Sequence, residues 1–308
     1  MTTALKILDY PVQNSINNLK VCDFKKVEEV LKALLDRDYS ENTRLAIFRD
    51  IKHFIEWYSN INQAPFSFEE VTERDVRDYR DQSQKKELSS ATINRRLSTL
   101  KQFFDFAIEM KHMDRNPSDR IKKLQRQALA PKGLTQSEAR KLLKEVEVRG
   151  NMRDRCLIEL MLGAGCRVSD LIGLKVNDVQ ISERKGHLII RQGKGNKSRK
   201  VPLNKELRRL LSELTKDRNS KDHLFTGQRG VLGNIAINKI VEKYSVKAGF
   251  KASPHSLRHT FAYNFLKEHP SDIVALAQLL GHSNINTTAI YCQNRLEDLQ
   301  EKVEAVMV

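Results

Sequence analysis

The chemistry in this sequence starts around a short basic run, His255-Ser256-Leu257-Arg258-His259. Ser253 suits the N-cap of a helix and Pro254 its first turn, so His255 and Arg258, three residues apart, share a face near the helix N-terminus. Free N–H groups and the helix dipole favour an anion there, and the face suits a phosphate. His259 falls on a neighbouring face and reads as a packed histidine. Arg167 follows Gly163-Ala164-Gly165, which stops one helix, and opens the segment Val168–Leu174. With Asp170 three residues on to orient its guanidinium, Arg167 can fork two hydrogen bonds to phosphate oxygens, although a surface ion pair fits the same residues. Lys194, on a glycine-rich tip, could hold an ammonium in a groove or be a solvated turn lysine. Gly281 stands where a helix ends, just before His282, and Thr287–Tyr291 begins another helix, in which a lone tyrosine would ordinarily be core.

Two other patterns fail on inspection. Gly193-Lys194-Gly195-Asn196-Lys197-Ser198 has Asn196 where a phosphate-binding loop needs glycine, in a strand-turn-strand context. His255 and His259 have the four-residue spacing of a zinc helix, but Ser256 stands where the acidic base would be and Arg258 would set a cation beside the metal. No metal site is expected.

The elements that must position these residues are mostly helical. After Ser40, a candidate N-cap, Leu45, Phe48, Ile51, Ile55 and Tyr58 form one apolar stripe, and Ile93, Leu97, Leu100, Phe104 and Ile108 form a second. Thr72 with Asp75 marks a helix start between them, with Val76 and Tyr79 as its apolar face. Arg44, Arg95, Arg96 and Lys101 lie off these stripes and point to solvent or to a ligand. Prolines at 117 and 131, Gly133 and the basic stretch Arg120–Arg126 then read as a linker. Thr135-Gln136-Ser137-Glu138 is a capping box that opens a second domain. Leu188–Ile190 and Lys200–Leu203, flanking residues 192–196, predict a β-hairpin. The expected organisation is an extension over 1–24, a helical domain over 25–115, a linker over 116–133, and a mixed α+β domain over 134–308. The fold class is mainly α with a small β-hairpin or sheet.

The formal net charge is +15, unevenly spread: residues 1–130 hold 23 Lys and Arg against 20 Asp and Glu, and residues 131–308 hold 31 against 19. Each cation that neutralises a phosphate releases a counterion, so the excess favours a polyanionic partner, nucleic acid first, although a solvated basic surface would give the same count. No apolar run reaches the roughly 18 residues of a membrane span, and the start Met1–Lys6 lacks the features of a secretory signal. The chain reads as cytoplasmic. Cys22, Cys156, Cys166 and Cys292 contain no C-x-x-C pair and are expected to be reduced core residues.

In order and spacing the second domain resembles the catalytic domain of tyrosine recombinases, the family of Xer proteins and phage integrases. Arg167 in Gly-Cys-Arg-Val-Ser-Asp-Leu, Lys194 in Gly-Lys-Gly-Asn-Lys, the His255-x-x-Arg258 box, His282 in Leu-Gly-His and Tyr291 match the family's catalytic set. Asn42-Thr43-Arg44 and the run Ser90–Leu97 resemble the family's helical core-binding domain. The likeness covers nearly everything after about residue 25.

The resemblance implies phosphoryl transfer with no cofactor. Arg167, Arg258 and His282 would hold the scissile phosphate, Tyr291 would attack it, Lys194 would protonate the leaving 5′ oxygen, and His255 would take the tyrosine proton or order the phosphate. It also implies double-stranded DNA with paired inverted half-sites as the partner. Assembly would be a homo-tetramer on two duplexes, or a hetero-tetramer with a paralogue, with Arg44, Arg95, Arg96 and Lys101 as DNA contacts. An apolar stripe, Leu296, Leu299, Val303 and Val306, could dock on a neighbouring subunit or on its own. Two rivals are a type IB topoisomerase-like enzyme, opposed by the helical first domain and the tail, and a non-catalytic DNA-binding protein, which would have no need of Tyr291.

Overall fold

Local capping sets most helix starts. A computed structural model of the chain describes residues 21–125, 133–191, 198–282 and 284–292. The chain divides into two units, Met1–Gln127 and Ala128–Val308.

In the first unit, α1 (Phe24–Leu35) starts where the Asp23 side chain accepts the Lys26 N–H, and it buries Val27, Val30, Leu31 and Leu34 at helical spacing. Ser40 caps α2 (Glu41–Asn62), as expected. The buried face of α2 runs through Ile47, Phe48, Ile51, Phe54, Ile55 and Tyr58. Leu45, placed on that stripe from periodicity, is only half-buried, and Phe54 lies at its centre, with ring contacts to Trp57, Tyr58, Phe66, Tyr79 and Phe104. The Thr72/Asp75 capping box opens α3 (Glu73–Lys85), which buries Val76 and Tyr79. Ser89 caps α4 (Ser90–Glu109), the helix that packs on each of the other three.

Residues 116–125, the first part of the expected linker, are held on this unit. Asn94 donates to the Leu124 carbonyl and accepts the Leu124 N–H, both at 2.8 Å, and Asn116 donates to the Lys101 carbonyl. Residues 126–132 lie outside the described part.

The second unit opens on the Thr135/Glu138 capping box of α5 (Gln136–Arg149). Its central helix is α6 (Met152–Gly163), whose Cys156, Leu157, Ile158, Leu160 and Met161 are all buried. A helix apolar on so many sides belongs inside a core. The one-turn helix α7 (Val168–Ile172) leads into a three-stranded antiparallel sheet of β1 (Val179–Ile181), β2 (Gly186–Ile190) and β3 (Arg199–Pro202). The hairpin β2–β3 is the expected one, with Leu188 opposite Val201 and Ile190 opposite Arg199. Strand β1 went unread because three residues give too short a pattern to separate from a loop.

Next come α8 (Lys205–Thr215), a two-stranded ribbon of β4 (Thr226–Gly227) and β5 (Gly230–Val231), and α9 (Asn234–Lys247). Helix α10 (Pro254–Glu268) follows with its Ser253 cap, then α11 (Ile273–Leu280), α12 (Asn286–Ala289) and a 3-10 turn over Ile290–Cys292. Helices α5, α8 and α10 all pack on α6, and α11 packs on α10.

The four cysteines are free, but only Cys156 and Cys166 are buried; Cys22 and Cys292 are exposed, which corrects their placement in the core. Among the described residues no helix is long and apolar enough to cross a membrane.

Candidate active site

The αL turn at Gly165 and the αL end of α11 at Gly281 bring separate segments to one point. Gly165 has φ +63°, and an added Cβ would strike the Phe261 ring. Glycine is the residue that takes this conformation without steric cost. The turn directs the Gly165 carbonyl at Arg258, whose Nη1 donates to it at 2.5 Å. Arg258 Nη2 donates to the Leu280 carbonyl at 2.7 Å and to His282 Nε2 at 3.0 Å. The arginine is only 4% exposed, and burial with Arg167 nearby pushes its pKa down to about 10, so it stays charged at neutral pH.

Arginine has no acceptor, so His282 Nε2 must accept from it. The proton of neutral His282 then sits on Nδ1 and is donated to Thr288 Oγ1 at 2.8 Å. Burial, followed by Arg258, Arg167 and Arg199, pushes the His282 pKa down to about 4, which agrees with a neutral ring. Arg167, at the N-cap position of α7, donates through Nη2 to the Gly281 carbonyl at 3.0 Å, and burial lowers its pKa.

The expected contact of Asp170 with the Arg167 guanidinium is not made. The Asp170 carboxylate accepts the Arg167 backbone N–H at 2.8 Å and pairs with Arg199 at 2.5 Å. Asp170 sits at the third position of α7, from which a carboxylate reaches back to the N–H of the N-cap residue rather than to its side chain. Arg199, at the start of β3, lies against the second αL glycine: a Cβ on Gly281, at φ +63°, would come within 2.8 Å of its Nη1. Sequence reasoning missed Arg199 because its carboxylate partner is 29 residues away.

Tyr291, on the 3-10 turn after α12, is 6% exposed. Its Oη is 2.7 Å from His259 Nδ1, and the Tyr263 ring meets its ring edge-on at 5.5 Å between centroids. Burial raises the phenol pKa against the lowering pull of Arg258 and Arg167. The histidine on the tyrosine is therefore His259, read from sequence as a packed residue, whereas His255 is exposed with its ring 6.3 Å from that of His259. Helical periodicity gave each histidine its face but not the side from which Tyr291 approaches.

Arg167, His255, Arg258, His259, His282 and Tyr291 line one cleft of about 380 Å³, together with Asn286, Thr287 and Ile290. A larger hollow of about 630 Å³ holds Glu138, Glu242 and Lys251 but none of these six residues. Chemistry, not volume, selects the smaller one. Lys194 lies outside the described residues, as does the stripe Leu296, Leu299, Val303 and Val306. Among the described residues no three His, Cys, Asp or Glu side chains cluster as ligands for a metal ion.

The four N-terminal cations are engaged within the first unit. Arg44 Nη2 donates to the Arg37 carbonyl at 3.1 Å, and exposed Lys101 pairs with Asp119. Exposed Arg95 pairs with Asp50, which is 3% exposed and also accepts from Thr99. Half-buried Arg96 turns inward, with Nη1 3.4 Å from the Tyr79 hydroxyl. It flanks the apolar stripe of α4, and the buried Asp50 carboxylate draws cations towards it.

Comparison with known proteins agrees with this arrangement. Residues 132–297 match the model of the phage integrase family, and residues 27–111 match the phage integrase N-terminal SAM-like domain. The tyrosine recombinase XerA of Pyrococcus horikoshii is 34% identical over 238 residues, 76% of this chain and 80% of that protein. The tyrosine recombinase XerC of Haemophilus influenzae is 34% identical over 243 residues, 76% and 81% of the two chains. The fold is similar to that of the XerH site-specific recombinase solved on a palindromic difH substrate, with a TM-score of 0.72 at 22% identity over 99% of this chain and 95% of that one. It is likewise similar to a lambda integrase dimer on a core site, with a TM-score of 0.70 at 19% identity over 88% and 95%. The chain belongs to the phage integrase family. Within it, the chain is a tyrosine recombinase, an enzyme of site-specific DNA recombination.

The Asp170–Arg199 pair yields a stability test. Removing one partner of a buried ion pair costs roughly 3–5 kcal/mol, while an exposed pair contributes about 0–1 kcal/mol. Arg199→Ala should therefore lower unfolding stability by about 3 kcal/mol in denaturant titration, and Arg209→Ala, on exposed partners Glu206 and Glu213, should lower it far less. Equal losses in the two variants would show that Arg199 is not a structural brace.

Proposed function

We propose that the chain cuts and rejoins duplex DNA through a covalent 3′-phosphotyrosine on Tyr291. The observation that carries this reading is a tyrosine hydroxyl in the same cleft as two guanidiniums held by backbone carbonyls. The Tyr291 oxygen forms a bond to phosphorus, the bond to the 5′ oxygen breaks, and Lys194 gives that oxygen a proton. Arg167 and Arg258 neutralise the charge that builds on the non-bridging oxygens, a term worth several kcal/mol for a fixed donor. His282 acts through Arg258, whose Nη2 it accepts, and exposed His255 at the N-terminus of α10 helps order the phosphate.

The phosphotyrosine keeps the energy of the broken phosphodiester, so an incoming 5′ hydroxyl reseals the strand without a nucleotide cofactor. In this reading the partner is double-stranded DNA with paired inverted half-sites, contacted on the first unit by Arg44, Arg95, Arg96 and Lys101. Two duplexes are bridged by four copies, or by this chain and a paralogue, and residues from Leu296 onward link subunits. The setting is cytoplasmic. A relaxing enzyme of the type IB topoisomerase class is not favoured, since relatives named as Xer recombinases align along three-quarters of the chain.

The nucleophile is tested on a nicked suicide duplex carrying the site that the wild-type protein selects from a random-sequence library. Wild type should form a protein–DNA adduct that survives denaturant, and Tyr291→Phe none. An adduct that persists in the variant would move the nucleophile elsewhere. The acid is tested separately by Lys194→Ala, which should cleave an ordinary phosphodiester about 10²–10⁴-fold more slowly and recover on a 5′-bridging phosphorothiolate, whose sulfur leaves without a proton. Equal impairment on both substrates would remove Lys194 from this role.

A further inference from the structure

The hydrogen bond between Tyr291 and His259 assigns a task to a residue that the sequence had set among the packed side chains. Nδ1 of His259 stands 2.7 Å from the tyrosine oxygen, within the reach a general base needs before chemistry starts. The two other histidines of the cleft are placed differently. His282 has both ring nitrogens committed, Nε2 to Arg258 and Nδ1 to Thr288. His255 is exposed, with its ring 6.3 Å from that of His259 between centroids, and it is His259 that meets the tyrosine oxygen. Helix α10 thus separates two tasks on adjacent residues: Arg258 turns towards the carbonyls of Gly165 and Leu280, and His259 towards Tyr291.

We propose that His259 is the general base that takes the phenolic proton of Tyr291, an assignment that rests on the recombinase reading above. As the Oη–H bond breaks, the proton passes to Nδ1 of His259. The freed Oη electron pair forms the bond to phosphorus, and the bond from phosphorus to the 5′ oxygen breaks with its electrons leaving on that oxygen. On resealing, the protonated ring returns the proton to Oη as the phosphotyrosine bond breaks.

The surroundings set both protonation states. Burial, His255 and Arg258 push the His259 pKa down to about 4, so the ring is neutral and able to accept. Arg258 is one of the charges that depress it, and a phosphate docked on Arg258 offsets that charge. The proton affinity of His259 therefore rises when negative charge develops beside it, at the step where the proton must move.

The mirror image of the leaving-group experiment tests this. Single-turnover cleavage of the selected suicide duplex is measured for wild type, His259→Asn and His259→Gln, each with Tyr291 as tyrosine and as 2,3,5-trifluorotyrosine, whose more acidic phenol ionises without a base. His259→Asn can keep a hydrogen bond to the hydroxyl but cannot take its proton, and His259→Gln supplies a second geometry should the first variant melt early. With ordinary tyrosine the variants should be slowed about 10²–10⁴-fold. Fluorination should return at least about tenfold of that loss while changing the wild-type rate far less. Two results overturn the assignment: a folded variant that cleaves at the wild-type rate, or one impaired equally with both phenols, which would make His259 a positioning residue. Failure of wild type to form any adduct would instead overturn the recombinase reading itself.

Discussion

Everything in the cleft depends on keeping one guanidinium charged inside protein. Arg258 is almost fully buried, and a buried charge without compensation costs several kcal/mol. Its compensation comes from two backbone carbonyls and an imidazole, contributed by the turn after α6, the end of α11 and the residue just beyond it. The Leu280 carbonyl is available because it ends α11 with no partner inside the helix, and the Gly165 carbonyl because it lies in the αL turn just past the end of α6. The cation therefore both requires and fixes the mutual placement of two helix ends. In the proposed reaction the scissile phosphate would meet a charge whose reorganisation is already complete, the condition under which electrostatic stabilisation is largest.

A second layer braces the first. The Gly281 turn gives its carbonyl to Arg167, presents His282 one residue later, and rests on the side chain of Arg199. Arg199 in turn pairs with Asp170, which caps the start of α7 at the backbone of Arg167. Thus the start of β3 shares one ion pair with the segment that places Arg167.

What could be read from the sequence was whatever physics is local. The boxes Thr72/Asp75 and Thr135/Glu138 and the cap Ser253-Pro254 were legible because a cap closes within four residues. The hairpin was legible from two apolar runs around a glycine tip. Gathering Arg167, Arg258, His282 and Tyr291 into one site came only from family resemblance, since no short-range rule joins residues spread over more than 100 positions. Long-range partners defeated the local reading. Asp170 was assigned to the wrong donor, Arg199 was not seen, and His259 was separated from the tyrosine it touches, because helical spacing says which residues share a face and not what approaches that face. Arg96 turned inward for the same reason: the carboxylate that attracts it belongs to another helix.

The central claim is that buried Arg258 acts on the charge of the scissile phosphate. The most direct measurement compares wild type and Arg258→Ala on two versions of the selected duplex, one with the natural phosphodiester and one with a neutral methylphosphonate at the cleaved position, after thermal melts confirm that the variant is folded. If Arg258 serves to neutralise charge, the variant should lose phosphodiester cleavage by about 10²–10³-fold yet cut the methylphosphonate within about tenfold of wild type. A folded variant that is impaired equally on both substrates would contradict the account.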